Sequence, residues 1–221
     1  MAEEVWYGPI NENADKTLKR IDLLARLSVE FANDLLGFSE REMKERKPRD
    51  INELIEEACE PLSSSTINIS NFDQVWLDRQ YSTEPVMCNI NETPFIHVVR
   101  NIVVNAYHAM EGIKDGRLEI GTSTDETGKI AHITFTDNGC GIKKQDLAKI
   151  FQSNYSTKSS PKGNGLGLWL VKTYLRRMGG SINVVSTPGH GTSFEIHIPT
   201  TKQQQGETTD GEKGQGFTGR G

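Results

Sequence analysis

A chain of 221 residues is long enough for one mid-sized domain with an appendage, or for two small domains. Hydrophobic residues make up 35% and charged residues 25%, the balance of a soluble globular protein, and no run approaches the roughly 18 apolar residues of a membrane-spanning helix. A formal charge of −5 argues against a nucleic-acid surface, and three widely spaced cysteines, Cys59, Cys88 and Cys140, read as free thiols in a reducing compartment.

The N-terminus, Met1 to Pro9, has neither the basic flank nor the apolar core of a secretory signal, so cytoplasmic residence is expected. Over residues 13–47 apolar side chains recur at Leu18, Ile21, Leu24, Leu27, Phe31 and Leu35, which predicts a long amphipathic helix seeking partner helices. Pro48-Arg-Asp50 reads as a stop followed by a cap, and Ile51 to Cys59 as a second amphipathic helix. Gln74 to Tyr81 and Glu84 to Asn89 are predicted strands separated by a turn at Ser82-Thr83. Thr93 to Met110 is predicted as a helix with a Thr or Asn cap, Pro94 in its first turn and an apolar stripe through Val99, Ile102, Val103 and Ala106.

Arg117 to Thr124 and Lys129 to Thr136 alternate apolar and polar residues about a turn at Gly128, as two adjacent strands do. Lys144 to Phe151 is a predicted short helix, and residues 152–164, rich in Ser, Lys, Pro and Gly, a mobile loop. Leu166 to Met178 is a predicted helix ended by Gly179-Gly180, followed by strands Ser181 to Ser186 and Thr192 to Ile198 around Pro188-Gly189. From Thr200 onward no apolar face remains, so a disordered tail is expected. The chain thus divides into a helical segment at 1–50, a domain at 51–199 and a tail at 200–221. The expected fold is α/β, a two-layer sandwich of a mixed sheet with helices on one face.

Four polar and glycine-rich patches follow one another in the 51–199 region. Asn101 and Asn105, four apart, project from one face of a helix; an amide oxygen is a hard ligand suited to magnesium, although two asparagines also tolerate a solvent edge. Asp137 ends an alternating strand before Asn-Gly139-Cys-Gly141, where a carboxylate can accept a hydrogen bond from an adenine amino group and the glycines let backbone lie against a flat base; a plain turn has the same composition. Gly163-Asn-Gly165-Leu-Gly167-Leu runs into a helix start, whose free N–H groups suit phosphate. Lys158 and Lys162 in the preceding loop either reach those phosphates or stay solvated. Gly189-His-Gly191-Thr192 is the fourth patch. Together, in this order, they point to an ATP site.

These patches resemble those of the GHKL ATPase superfamily, and within it the catalytic ATP-binding domain of sensor histidine kinases, especially the nitrogen-regulation-like branch. The strings that carry the resemblance are Asn105-Ala-Tyr-His-Ala-Met110, Phe151-Gln-Ser-Asn-Tyr-Ser-Thr157-Lys158, Gly163-Asn-Gly-Leu-Gly-Leu168, Gly179-Gly-Ser-Ile-Asn-Val184 and Pro188-Gly-His-Gly-Thr-Ser-Phe194. The resemblance implies a Bergerat-type ATP-binding fold over Ile51 to Pro199, with ATP and magnesium as cofactors. It implies Asn105 as magnesium ligand with Asn101 beside it, and Asp137 on adenine with Thr192 supporting it. Gly139, Gly141 and Ile142 would line the base pocket. Thr157, Lys158, Gly163, Gly165, Leu166, Gly167 and Leu168 would form the phosphate lid, with Asn101, Asn105 and Lys158 closest to the chemistry.

Gyrase-like and chaperone-like members carry a water-activating glutamate where this chain has Asn101, which disfavours hydrolysis. The chain departs from the usual kinase at His108, where Lys or Arg often reaches the phosphates. A complete sensor kinase also presents an acceptor histidine on a dimerisation hairpin, yet Met1 to Leu54 contains no histidine, and His97, His108, His132, His190 and His197 all fall in the catalytic region. Leu18 to Pro61 resembles the second hairpin helix and its connector. The expected partners are therefore a histidine-bearing dimerisation helix, a response-regulator pathway and another copy of this chain through the N-terminal helix. A fragment of a kinase, a subunit acting on another polypeptide and a nucleotide-dependent binding module all remain open.

Overall fold

The computed structural model describes residues 46–63, 75–153, 155 and 165–202, without the side chains of 61–63. The chain divides into units Met1–Met43 and Lys44–Gly221, and every described residue belongs to the second. Apart from 46–47, the helix expected over 13–47 lies outside the described residues, and so does the tail expected over 200–221 apart from 200–202, where Thr200 is buried rather than part of a tail.

The described elements are β1 (Lys47–Asp50), α1 (Ile51–Ser63), β2 (Trp76–Gln80), β3 (Met87–Ile90), α2 (Glu92–Ala109), β4 (Arg117–Thr124), β5 (Ile130–Asp137), α3 (Lys144–Leu147), α4 (Gly167–Arg177), β6 (Ser181–Thr187) and β7 (Gly191–Pro199). Five strands form one mixed sheet in the order β2-β4-β5-β7-β6, with β2 parallel to β4 and the other pairs antiparallel. Alternation sets the layers. Leu118 and Ile120 of β4, Ala131, Ile133 and Phe135 of β5, and Phe194, Ile196 and Ile198 of β7 are all buried, while their sequence neighbours His132, Thr134, Thr136, Glu195 and His197 point to the other face and are more exposed. The helices cover the apolar face: α2 packs against α1 and α4 and lies over β4, β5 and β7. Its stripe of Phe95, Val98, Val99, Ile102, Val103 and Ala106 is the buried one. The expected two-layer α/β architecture is thus the observed one.

One local expectation is corrected and another is completed. Lys47–Asp50 is not merely a helix stop but a strand, antiparallel to β3 in a separate two-stranded sheet. Proline is tolerated there because an edge strand loses only an outward N–H. Asp50 still caps α1, its Oδ1 accepting from Asn52 N at 3.1 Å, and the same oxygen accepts from Val86 N at 3.0 Å, which ties β3 to the helix start. Secondly, β2 and β3, expected as strands separated by a turn at Ser82-Thr83, are both strands and belong to different sheets. Ser82 N donates to Thr122 Oγ1 of β4 at 2.9 Å, drawing the segment after β2 along the large sheet while Asp50 claims the segment before β3. Arg49 fastens this corner, pairing with Glu57 of α1 and Glu92 of α2 at 2.6 and 2.8 Å. Beyond Pro199, Thr200 is buried and returns to the β4–β5 turn, its N–H on Lys129 O and its hydroxyl on Gly128 O.

Candidate functional site

The asparagine helix, α2, begins at Glu92 with an asparagine, Asn91, in the cap position as expected, without a side-chain capping bond. Ile102, Val103 and Ala106 face the sheet, which leaves Asn101, Asn105, His108 and Ala109 half-buried along the border of that stripe. Asn101 is firmly held: its Nδ2 donates to His97 O at 2.9 Å, and its Oδ1 lies 2.5 Å from where a Cβ on Gly167 would sit. Glycine at the first residue of α4 therefore lets the two helices meet at Asn101. Gly165 adopts a left-handed φ of 68° just before that start, and Leu166, Gly167 and Leu168 follow it half-buried.

Asp137 is the last residue of β5, inward in phase with Ile133 and Phe135, and only 5% exposed. Its Oδ1 accepts from Gly139 N at 2.8 Å. Its cross-strand partner is Thr192, whose backbone N–H also reaches the carboxylate. Burial pushes the carboxyl above its ordinary value, and these two N–H groups only partly offset it.

The loop after Asp137 is stitched down on both sides. Towards α2, Cys140 N donates to Ala109 O at 2.9 Å. Towards the β6–β7 turn, Gly189 N donates to Cys140 O at 2.8 Å, and Ile142 N donates to Ser186 Oγ at 2.8 Å. That hydroxyl in turn donates to Gly191 O at 2.8 Å and lies 3.0 Å from Thr192 Oγ1. Asn138 closes the outer edge, its Oδ1 accepting from Arg117 N and its Nδ2 donating to Asp115 O.

Protein backbone accounts for the glycines here. A Cβ on Gly139 would come within 2.7 Å of both Ala109 Cβ and the Asp137 carboxylate; one on Gly141, with φ 67°, would collide with Thr187 O; one on Gly191, with φ 97°, with Asp137 O. The structure thus brings buried Asp137, Gly139 and Thr192 and half-buried Gly141 and Ile142 into one corner, joined to the end of the asparagine helix through Ala109, and sets Asn101 against the start of α4. Thr157, Lys158 and Gly163 lie outside the described residues, as does Lys162. Sequence reasoning missed Ser186, although a serine in the inward phase of β6, in step with Ile182 and Val184, was the available signal.

The donor set suits a nucleotide carried with a hard cation. Asn105 offers an amide oxygen on the half-buried border, whereas the Asn101 oxygen is turned to Gly167. The model of the histidine kinase-, DNA gyrase B- and HSP90-like ATPase family matches residues 90–202, just over half of the chain. The chain belongs to this family. The ATPase domain so defined runs from the end of β3 through Lys202 and contains every described residue of the corner around Asp137. Among relatives, the sensor histidine kinase CitA of Klebsiella pneumoniae is 34% identical over 52% of this chain and 21% of its own length. The signal transduction histidine-protein kinase AtoS of Escherichia coli is 30% identical over 84% of this chain and 28% of its own. The chain therefore spans about a fifth to a quarter of these relatives.

Solved structures give the same fold. The mycobacterial sensor histidine kinase MprB superposes with a TM-score of 0.59 at 22% identity, covering 70% of this chain and 97% of that one. Full-length ShkA in complex with AMPPNP superposes with a TM-score of 0.66 at 20% identity, covering 86% of this chain and 40% of that one. The narrower resemblance to a nitrogen-regulation-like branch rests on the sequence strings alone. No helix among the described residues is long and apolar enough to cross a membrane.

Proposed function

We propose that this ATPase domain is the catalytic part of a two-component histidine kinase, transferring the γ-phosphate of ATP to a histidine supplied by another segment or polypeptide. The observation that carries the reading is Asn101. At the position where a hydrolase of this family needs a water-activating carboxylate, the chain has an amide already committed to His97 O and packed on Gly167. Transfer to an imidazole needs no such base, because the neutral ring is a competent nucleophile. Its nitrogen bonds to the γ-phosphorus as the bond to the β–γ bridging oxygen breaks, and ADP leaves with the electron pair. The work left to the chain is positioning and charge neutralisation.

In this reading Asp137 accepts from the adenine amino group, held in place by the N–H groups of Gly139 and Thr192. Gly141 and Ile142 border the base, with Ser186 behind them. Asn105 holds magnesium; the ion, when bound, offsets charge on the phosphate oxygens. Gly165 to Leu168 carry the near end of a lid whose remainder, with Thr157, Lys158 and Gly163, is assigned from sequence. His108, half-buried in the last turn of α2, occupies the place from which a kinase lysine or arginine reaches the phosphates. A cytoplasmic site of action, a response-regulator pathway and association of two copies through the N-terminal segment complete the proposal.

The test is incubation of the chain with γ-labelled ATP and histidine-bearing dimerisation hairpins. Acid-labile label on a hairpin is the expected outcome. Tight ATP binding with no label in any pairing would replace the kinase with a nucleotide-dependent binding module, and steady phosphate release without a hairpin would replace it with a hydrolase.

A further inference from the structure

The face of the sheet turned away from the helices carries a cluster that the nucleotide site does not use. His132 of β5 stands directly opposite His197 of β7, and Glu195 lies two residues along β7 on the same face. His132 Nδ1 is 3.4 Å and His197 Nε2 is 3.2 Å from Glu195 Oε1, and the three ligand atoms all lie within 4.8 Å of one another. The rings meet edge to face with centroids 4.6 Å apart. The side chains are 32%, 23% and 43% exposed for His132, His197 and Glu195, so an ion from solvent can reach them without opening the fold.

Two imidazoles and one carboxylate are a donor set for a borderline divalent transition ion and a poor one for magnesium or calcium, which take oxygen ligands. Ligand atoms about 2.0–2.2 Å from a tetrahedral zinc lie about 3.3 Å from one another. Both carboxylate-to-imidazole distances already match that edge, and only the two rings have to close towards each other. We propose that His132, Glu195 and His197 form a three-ligand site for a divalent transition-metal ion, zinc foremost, on the outer face of the sheet. The fourth position faces solvent and takes water or a donor from a partner, as three-ligand zinc sites do.

The site clips β5 to β7 at one end of the strand pair whose other end holds Asp137 opposite Thr192. Neither asparagine of α2 nor any residue of the adenine corner contributes to it.

Metal-stripped full chain is titrated with zinc chloride by calorimetry, and with cobalt chloride by visible absorption. The expected result is one equivalent bound at micromolar concentration, a cobalt spectrum of nitrogen and oxygen ligation, and a Tm that rises with zinc. His132→Gln and His197→Gln should each weaken binding at least tenfold and abolish the Tm rise, while Asp137→Asn leaves both unchanged. Glu195→Gln, which keeps the shape of the side chain, is the variant to rely on if a histidine change impairs folding. Affinity weaker than about 1 mM, binding indifferent to these substitutions, or a thiolate-to-cobalt band from a cysteine site would overturn the assignment.

Discussion

Asp137 illustrates how one residue can serve a ligand at a cost to the fold. Its folded carboxyl is raised above the unfolded value by burial. The sign follows: the stabilising contribution belongs to the protonated form, is present in full below the unfolded value and is lost as pH rises through the raised one. At neutral pH the buried carboxylate therefore burdens the free protein, and Asp137→Asn should melt at the same temperature or higher when no nucleotide is present. Its ATP affinity should nevertheless fall about ten- to a hundredfold, the loss of a hydrogen bond to a charged group of about 1.5–3 kcal/mol. Calorimetry from pH 7 downward should find the parent losing ATP at a higher pH than an ordinary aspartate would cause, and the variant lacking that dependence; equal affinities at neutral pH would remove the adenine contact. Asp137 was legible because it ends an alternating strand at a glycine turn. Ser186 was harder to read, because its inward phase on β6 is a local pattern but its acceptor role for Ile142 N spans 44 positions. Ser186→Ala leaves that N–H without its partner and should cost about 1–3 kcal/mol in chemical denaturation, with weaker nucleotide binding alongside.

Between elements, the junction of α2 and α4 is where a glycine and an asparagine are interlocked. Gly167→Ala puts a methyl 2.5 Å from Asn101 Oδ1, so either the side chain moves off or the helices part. Overpacking of this kind typically costs about 1–3 kcal/mol. Asn101→Ala removes the obstructing oxygen, and Gly167→Ala should therefore be cheaper in that background than in the parent. A double-mutant cycle on urea midpoints measures the coupling, and strictly additive effects would mean that the two residues do not constrain each other. The helices and the β4–β5 and β6–β7 pairs were readable from period and turn chemistry, since their information is local. The partners of β2 and β3 were not. A turn between two predicted strands leaves their partners undecided, and contacts with the distant Thr122 and Asp50 side chains bear on them. Pro48 misled for a related reason, because it stops a helix and sits in an edge strand with equal ease.

For the whole ATPase domain, ligand linkage can test the proposed nucleotide site. ATP that binds only the folded state at a hundred times its Kd adds about 2.7 kcal/mol of stability. At about 2–4 °C per kcal/mol for a unit of this size, Tm should rise by about 5–10 °C. The same ATP concentration should shift Asp137→Asn by about half as much or less, because a ten- to hundredfold loss of affinity leaves the ligand at only about one to ten times the variant's Kd. Magnesium should add to the parent's shift through Asn105, so Asn105→Ala should keep the response to ATP alone and lose the increment from the ion. An equal increment in parent and variant would take Asn105 out of the metal's coordination while leaving the adenine corner intact. The order of the four patches made the ATPase family legible before any geometry was known. Asp137, Gly165 to Gly167 and Gly191 lie at the ends of regular elements, where sequence periodicity breaks and a backbone N–H or a carboxylate can turn towards a ligand, whereas Asn101 and Asn105 stand within α2 and were readable from their spacing of four on one helix face.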